Sequence, residues 1–224
     1  MLFLSIATAA SCGQTRFYLI FLTNWNVVLN AMSSVLGAVL VTCYYRKILE
    51  FEESRKMSKA LKIFWVSSLL STVVSISLSC VYWPLIYTGR DKGFNDALTH
   101  AANAIFMFVD VFISASPYRY GLFIYPLGFG VFYAYVFSVF YVVFGGNDRD
   151  NNNYIYSVLD WNNHTMAALT FSTATIVFLI FIHFVISSLL HLRIYFHRKL
   201  SEKQNIEQTS SSEVGNSNIG FSST

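Results

Sequence analysis

The sequence predicts an all-α fold, a polytopic transmembrane helix bundle. Three observations carry that prediction. Hydrophobic residues make up 54% of the 224 and charged residues only 12%, where a soluble domain is nearer a quarter charged. Five apolar stretches, 17–43, 61–87, 96–116, 120–144 and 166–192, each reach the length that a helix needs to cross a bilayer. The Lys and Arg residues fall unevenly between alternate connections, as they do in membrane proteins.

The chain divides into a short apolar segment (1–16), the bundle (17–198) and a polar, Ser-rich tail (199–224) whose composition predicts disorder. The apolar run at the start is only ten residues long and has no basic residue before it. A signal-like start, the stub of a longer helix and an interfacial segment all remain open. In the first span, Thr23, Asn26, Asn30 and Ser34 recur at spacings of three and four, a polar stripe that must turn inward. Gly37 and Ala38 leave room for a neighbouring helix. The second span is rich in Ser and ends in Tyr82, Trp83 and Pro84, an interfacial anchor with a helix-stopping proline.

The third span is the one around which function is sought. It carries Asp96, Thr99, His100, Asn103 and Asp110 in an otherwise apolar run. At about 100° per residue, His100, Asn103, Met107 and Asp110 share one face. Ionisable groups in a bilayer face protein or a water-filled cavity, so this face is expected to turn inward. In the fourth span Pro126, Gly128 and Gly130 predict a kink. GGNDRDNNN is a loop, and the more apolar 154–161 is expected to lie along the interface. The fifth span contains His183 and His191, and a structural role is expected for His183.

Orientation follows from charge. With alternating spans, eleven Lys and Arg fall on the side of 45–62, 116–120 and the tail, against four on the other side. The tail is therefore expected in the cytosol. The sequon Asn163-His164-Thr165 falls on the opposite side, close to the fifth span, where glycosylation is not expected. The net charge of +3 is too small to argue for nucleic acid. Cys12, Cys43 and Cys80 have no CxxC spacing and read as core thiols. No motif calls for a metal or another cofactor. The partners expected are membrane lipids.

Thr23 and His100 enter their spans from the same side and lie at similar depth, roughly 6–9 Å inside. A threonine hydroxyl beside an imidazole is a nucleophile with a general base. Asn24, Asn26 or Asn103 then orients the imidazole or stabilises an oxyanion. Against this stands the packing reading, in which Thr23 bonds its own helix backbone and His100 a polar partner across the bundle. Asp110 lies about 15 Å beyond His100, too far to orient it. Arg119, a Tyr hydroxyl or an Asn is its expected partner.

The segments FYLIFLTNWNVVLNAMSSVLGAVLVT, DALTHAANAIFMFVDVFISASPYRY, FIYPLGFGVFYAYVFSVFYVVFGG and NNNYIYSVLDW resemble the rolling stone family. These are animal multi-pass membrane proteins whose founding fly member is linked to myoblast fusion. Against that family's pattern the segment 1–12 looks like a shortened first helix. The resemblance implies a plasma-membrane protein acting in cell–cell fusion or membrane organisation. The family is distantly similar to the androgen-induced membrane hydrolases, which cleave fatty acid esters of hydroxy fatty acids with a threonine and a histidine. Their FLT segment matches Phe21-Leu22-Thr23, and their histidine matches His100 before AANAIFMFVD. That similarity implies, as an alternative, a lipid ester hydrolase with a Thr23 nucleophile and a His100 base. A channel or transporter resting on Asp110 and the asparagines is a weaker third reading.

Overall fold

The computed structural model describes residues 15–46, 59–86, 97–113, 118–147 and 152–219. The expectations for the segment 1–14, for most of the charged loop 45–60, for Asp96 and for Pro117 lie outside the described residues. The elements are α1 (Leu22–Tyr45), α2 (Lys59–Val81), α3 (Asn103–Ile113), α4 (Ile124–Val131), α5 (Ser138–Val143) and α6 (Thr165–Ile219), with no strand among the described residues. Wider π-helical turns occupy Tyr82–Ile86 after α2, Ala97–Ala102 before α3 and Phe132–Phe137 between α4 and α5.

Four helical stretches are long and apolar enough to cross a membrane: Leu22–Tyr45, Lys59–Leu85, Tyr120–Val143 and Thr165–Gln204. The third expected span is represented by the shorter apolar helix His100–Ile113. The chain forms two compact units, Met1–Ile186 and Ser187–Thr224. The helix continues to Ile219, through the stretch where composition predicts disorder. In the second unit, Arg193, Arg198, Lys199 and Lys203 are exposed, and the Lys199 ammonium lies 5.1 Å from the centre of the Tyr195 ring.

In the first unit α2 is central. Ser68, Leu69, Ser71, Thr72, Val73, Val74, Ser75 and Ser77 are all buried, so nearly every side of its middle turns meets protein. Lipid tails are as apolar as leucine, so helices in a bilayer associate by close packing and hydrogen bonds, and small residues permit both. The Ser run in 67–79 is that device. Gly37 of α1 faces Phe64 of α2 so closely that a Cβ there would lie 2.8 Å from the ring. Asn26 of α1 meets Ser75 of α2, so α1 advances as α2 recedes and the two run antiparallel. Ser79 donates to the carbonyl of His100 at 2.9 Å, while Tyr118, beyond α3, donates to Thr72 at 3.1 Å. Helix α3 is therefore also antiparallel to α2, and α1 and α3 run the same way.

The fourth span is tied to α1 by aromatic rings. Trp25 packs edge-on or tilted against Phe129, Phe132, Tyr133 and Phe137, with ring centres 5.0–6.4 Å apart. Pro126 lies in the first turn of α4, where its missing N–H costs no bond, and the helix widens further on, at Phe132–Phe137. Gly130 faces Ile176 of α6, and a Cβ there would come within 3.2 Å of that side chain. His183 is fully buried, with Nε2 3.3 Å from the Arg119 carbonyl oxygen, and steadies the turn before α4.

Three expectations are corrected. Ser34 is exposed and Ser33 is buried, because the seam on α1 steps by three residues after Asn30 and follows Asn26, Asn30, Ser33 and Gly37. Cys80 is exposed rather than a core thiol. Asp110 is exposed too: burial along α3 follows Asn103, Met107 and Val111 at spacings of four, and Asp110 falls outside that ridge.

Candidate functional site

The polar residues of α1, α2 and α3 converge on one atom, the Ser75 hydroxyl oxygen. It accepts from the side-chain amides of Asn26 at 2.8 Å, Asn103 at 3.3 Å and Asn30 at 3.4 Å. Its own proton goes to the Ser71 carbonyl at 2.6 Å. The Asn30 amide also donates to the Asn103 amide oxygen at 2.5 Å. Asn26, Ser75 and Asn103 are all less than 5% exposed. The sequence-predicted residues Asn26, Asn30 and Asn103 are thus brought together, with Ser75 as the hub that sequence reasoning did not single out.

This junction fixes the level of the two candidate reacting residues. Thr23 stands three residues before Asn26 on α1, and His100 three residues before Asn103 in the turn leading into α3. Because α1 and α3 run parallel, both lie one helical turn, about 5 Å, beyond Ser75 towards the carboxyl end of α2. Ser79 of α2 is at that level and donates to the His100 carbonyl. The His100 ring is buried and stacks face to face on Tyr82, with centres 3.6 Å apart and planes 4° from parallel. Two π-helical turns meet in that stack, one after α2 and one before α3.

A residue from a distant part of the chain reaches the start of α1. The Tyr156 hydroxyl accepts the Leu22 backbone N–H at 3.2 Å. That is among the first N–H groups of α1, which have no carbonyl partner inside the helix, and Phe21 at the cap position supplies no side-chain oxygen. The Tyr133 hydroxyl donates to the Ile20 carbonyl at 2.7 Å. Burial pushes the Tyr156 phenol up to about 12, outweighing the hydrogen bonds that favour its charged form. The phenol is therefore neutral at physiological pH.

The loop that carries Tyr156 is held at both ends. Ile155 and Leu159 are buried, and the Trp161 indole N–H donates to Ser138 at 2.9 Å. Asp160 accepts from the backbone N–H groups of Asn162 and Asn163 at 3.1 and 3.0 Å and from the Asn163 side-chain amide at 3.0 Å. Chiefly the Asn163 N–H holds the Asp160 carboxyl below its ordinary 3.8. The sequon asparagine is thus folded into the turn that starts α6.

The comparisons with known proteins come down on one family. A family profile described as Protein rolling stone matches residues 2–207. The chain belongs to the rolling stone family. The fly protein named Protein rolling stone (Drosophila melanogaster) is similar at 28% identity over 165 residues, 69% of this chain. The chain spans about 60% of the length of that curated relative. No solved structure matches. With its apolar helices, this rolling stone family member is an integral membrane protein.

The structure also has open clefts. One of about 350 Å³ is lined by Gly37, Leu40, Val41, Tyr44, Leu61 and Phe64. Another, about 650 Å³, is lined by Val158 and, from α6, Met166, Ala167, Thr170, Phe171 and Ala174. Asp110 lies close enough to Tyr118 to interact with it electrostatically. Among the described residues it has no hydrogen-bond or ion-pair partner. No group of three or more His, Cys, Asp or Glu suited to a metal occurs among the described residues.

Proposed function

We propose that this rolling stone family member is a lipid ester hydrolase of the plasma membrane. Its site lies in the outer leaflet, its carboxyl tail is cytosolic, Thr23 is the nucleophile and His100 the base. The observation that carries this reading is the shared hub: Asn26 and Asn103 bond the same Ser75 oxygen, so Thr23 and His100 occupy one level on parallel helices that touch. In the reaction, the Thr23 oxygen bonds to the ester carbonyl carbon as its proton passes to the imidazole. The ester C–O bond then breaks as the imidazolium returns that proton to the leaving alkoxide, and water hydrolyses the acyl-threonine by the same route. Fatty acid esters of hydroxy fatty acids are the substrate class. Protein in nanodiscs is expected to release free fatty acid from such an ester. Thr23→Ala and His100→Ala each lower the rate by about 100-fold or more. Equal rates in wild type and Thr23→Ala would refute the assignment.

A second reading is favoured by the Asn–Ser junction itself, in which the three amides are spent on packing. Here the protein acts through its surfaces in cell–cell fusion or membrane organisation, and the polar seam only holds α1, α2 and α3 together. A cell-fusion assay separates the two, because on this reading Thr23→Ala and His100→Ala fuse as wild type does. Loss of fusion in both, at normal surface expression, tells against it.

A further inference from the structure

We infer that Tyr82 is a positioning residue for His100: its phenol ring, stacked face to face on the imidazole, fixes the plane of the base and steadies the cation that the base becomes. The inference rests on the hydrolase reading of Thr23 and His100, and it gives that site a third side chain, from the end of α2.

A histidine base needs a fixed direction, because the proton it takes arrives in the plane of the ring. Its χ2 torsion ends on a flat ring and has broad minima, so the side chain does not fix that plane by itself. Helix α2 and the turn after it grip His100 at two points. Ser79 donates to the His100 carbonyl at 2.9 Å, which holds the backbone. Tyr82, three residues further on, covers the ring, with centres 3.6 Å apart and planes 4° from parallel. At that separation the two rings touch, and turning the imidazole about χ2 drives its edge into the phenol. Tyr82 is itself backed by Trp83, whose ring stands edge-on to it with centres 5.5 Å apart. Both imidazole nitrogens bond in the ring plane, so a partner on the face occupies neither direction.

The same contact acts on charge. As the Thr23 oxygen bonds to the ester carbonyl carbon, its proton passes to the imidazole. The ring then stays cationic until it returns that proton to the leaving alkoxide. The face of a tyrosine ring carries negative charge density and attracts a cation within about 6 Å of its centre, more strongly where water is excluded. His100 is only 7% exposed. The stack therefore attracts the imidazolium more than the neutral ring, at the step in which the imidazolium forms. Two wide turns bring the pair together. Tyr82 opens the π-helical turn Tyr82–Ile86, and His100 lies in the one at Ala97–Ala102. Such turns break the regular helix and recur at functional sites. An interfacial anchor uses the polar tip of a tyrosine, whereas the stack uses its face, so Tyr82 can serve as both.

The test is steady-state hydrolysis of p-nitrophenyl octanoate by the full chain in nanodiscs. Wild type is compared with Thr23→Ala, Tyr82→Leu, Tyr82→Phe and protein carrying mono-, di- or trifluorinated phenylalanine at position 82. Tyr82→Leu is expected to lower kcat by about 30-fold or more with KM within about twofold, because the base is misdirected after the substrate has bound. Tyr82→Phe, which keeps the ring, should recover most of that loss. Fluorine withdraws charge from the ring face with little change in shape, so it weakens the pull on a cation and leaves the packing in place. Along the fluorinated series kcat should fall step by step, by about tenfold in all. Should Tyr82→Leu not fold, the fluorinated series carries the test alone. A flat series, or a Tyr82→Leu kcat near wild type, with Thr23→Ala inactive, overturns the inference and leaves the Thr23 reading standing. A wild type no faster than Thr23→Ala overturns both.

Discussion

Ser75 shows how one small residue organises three helices. Its hydroxyl oxygen takes the amide protons of Asn26, Asn30 and Asn103, and removing it leaves buried donors with nothing to bond. Ser75→Ala is therefore expected to cost about 1–3 kcal/mol of stability, the penalty for an unsatisfied buried polar group. Ser34→Ala, at an exposed position one residue off the seam, should cost less than about 0.5 kcal/mol. Thermal unfolding of the two variants in one detergent checks both. The asparagines were legible in the sequence because two amides at helical spacing on α1, and a third beside His100 on the third span, have few uses in apolar runs. Ser75 was not, since it is one of six serines on α2 between 67 and 79, and only the crossing of α1 and α3 selects it. Asp110 misled for a related reason: a helical wheel assumes a straight seam, whereas the real one drifts along the Asn103, Met107 and Val111 row.

Among the elements, the loop before α6 does most to complete the candidate site. Its sequence, NNNYIYSVLDW, announces an apolar segment but gives no sign that Tyr156 caps α1, because the partners stand 134 residues apart. Composition places this segment along the interface, and Ile155 and Leu159 are buried in the protein. Asp160 closes the loop, and the direction of its shift sets a pH dependence. A carboxyl held below 3.8 by its hydrogen bonds contributes stability that is fully present above that value and is lost as the pH falls through the lower folded value. Asp160→Asn should therefore unfold at a lower temperature than wild type at pH 7, and the gap should narrow in strong acid. A gap that stays constant from neutral to acidic pH would remove the carboxylate from this role. The same turn occupies the Asn163 amide, so digestion of cell-derived protein with a glycosidase specific for N-linked sugars should leave its mobility unchanged. A shift that disappears in Asn163→Gln would contradict that.

For the whole molecule, the sequence was most informative where the signal was long, in the apolar stretches that form the helices. It was least informative where helix pairs meet, since neither the Asn–Ser junction nor the Tyr82–His100 stack follows from any one span. The carboxyl tail is expected in the cytosol, so an epitope at the carboxyl end should be stained in cells only after permeabilisation. If Thr23 is an activated nucleophile, it should be open to covalent labelling. Solubilised membranes are treated with a fluorophosphonate probe, and the modified peptide is identified by mass spectrometry in wild type, Thr23→Ala and His100→Ala. Label is expected on Thr23 in the wild type and on neither variant. Folded wild-type protein that stays unlabelled, or label carried equally by Thr23→Ala, would contradict it.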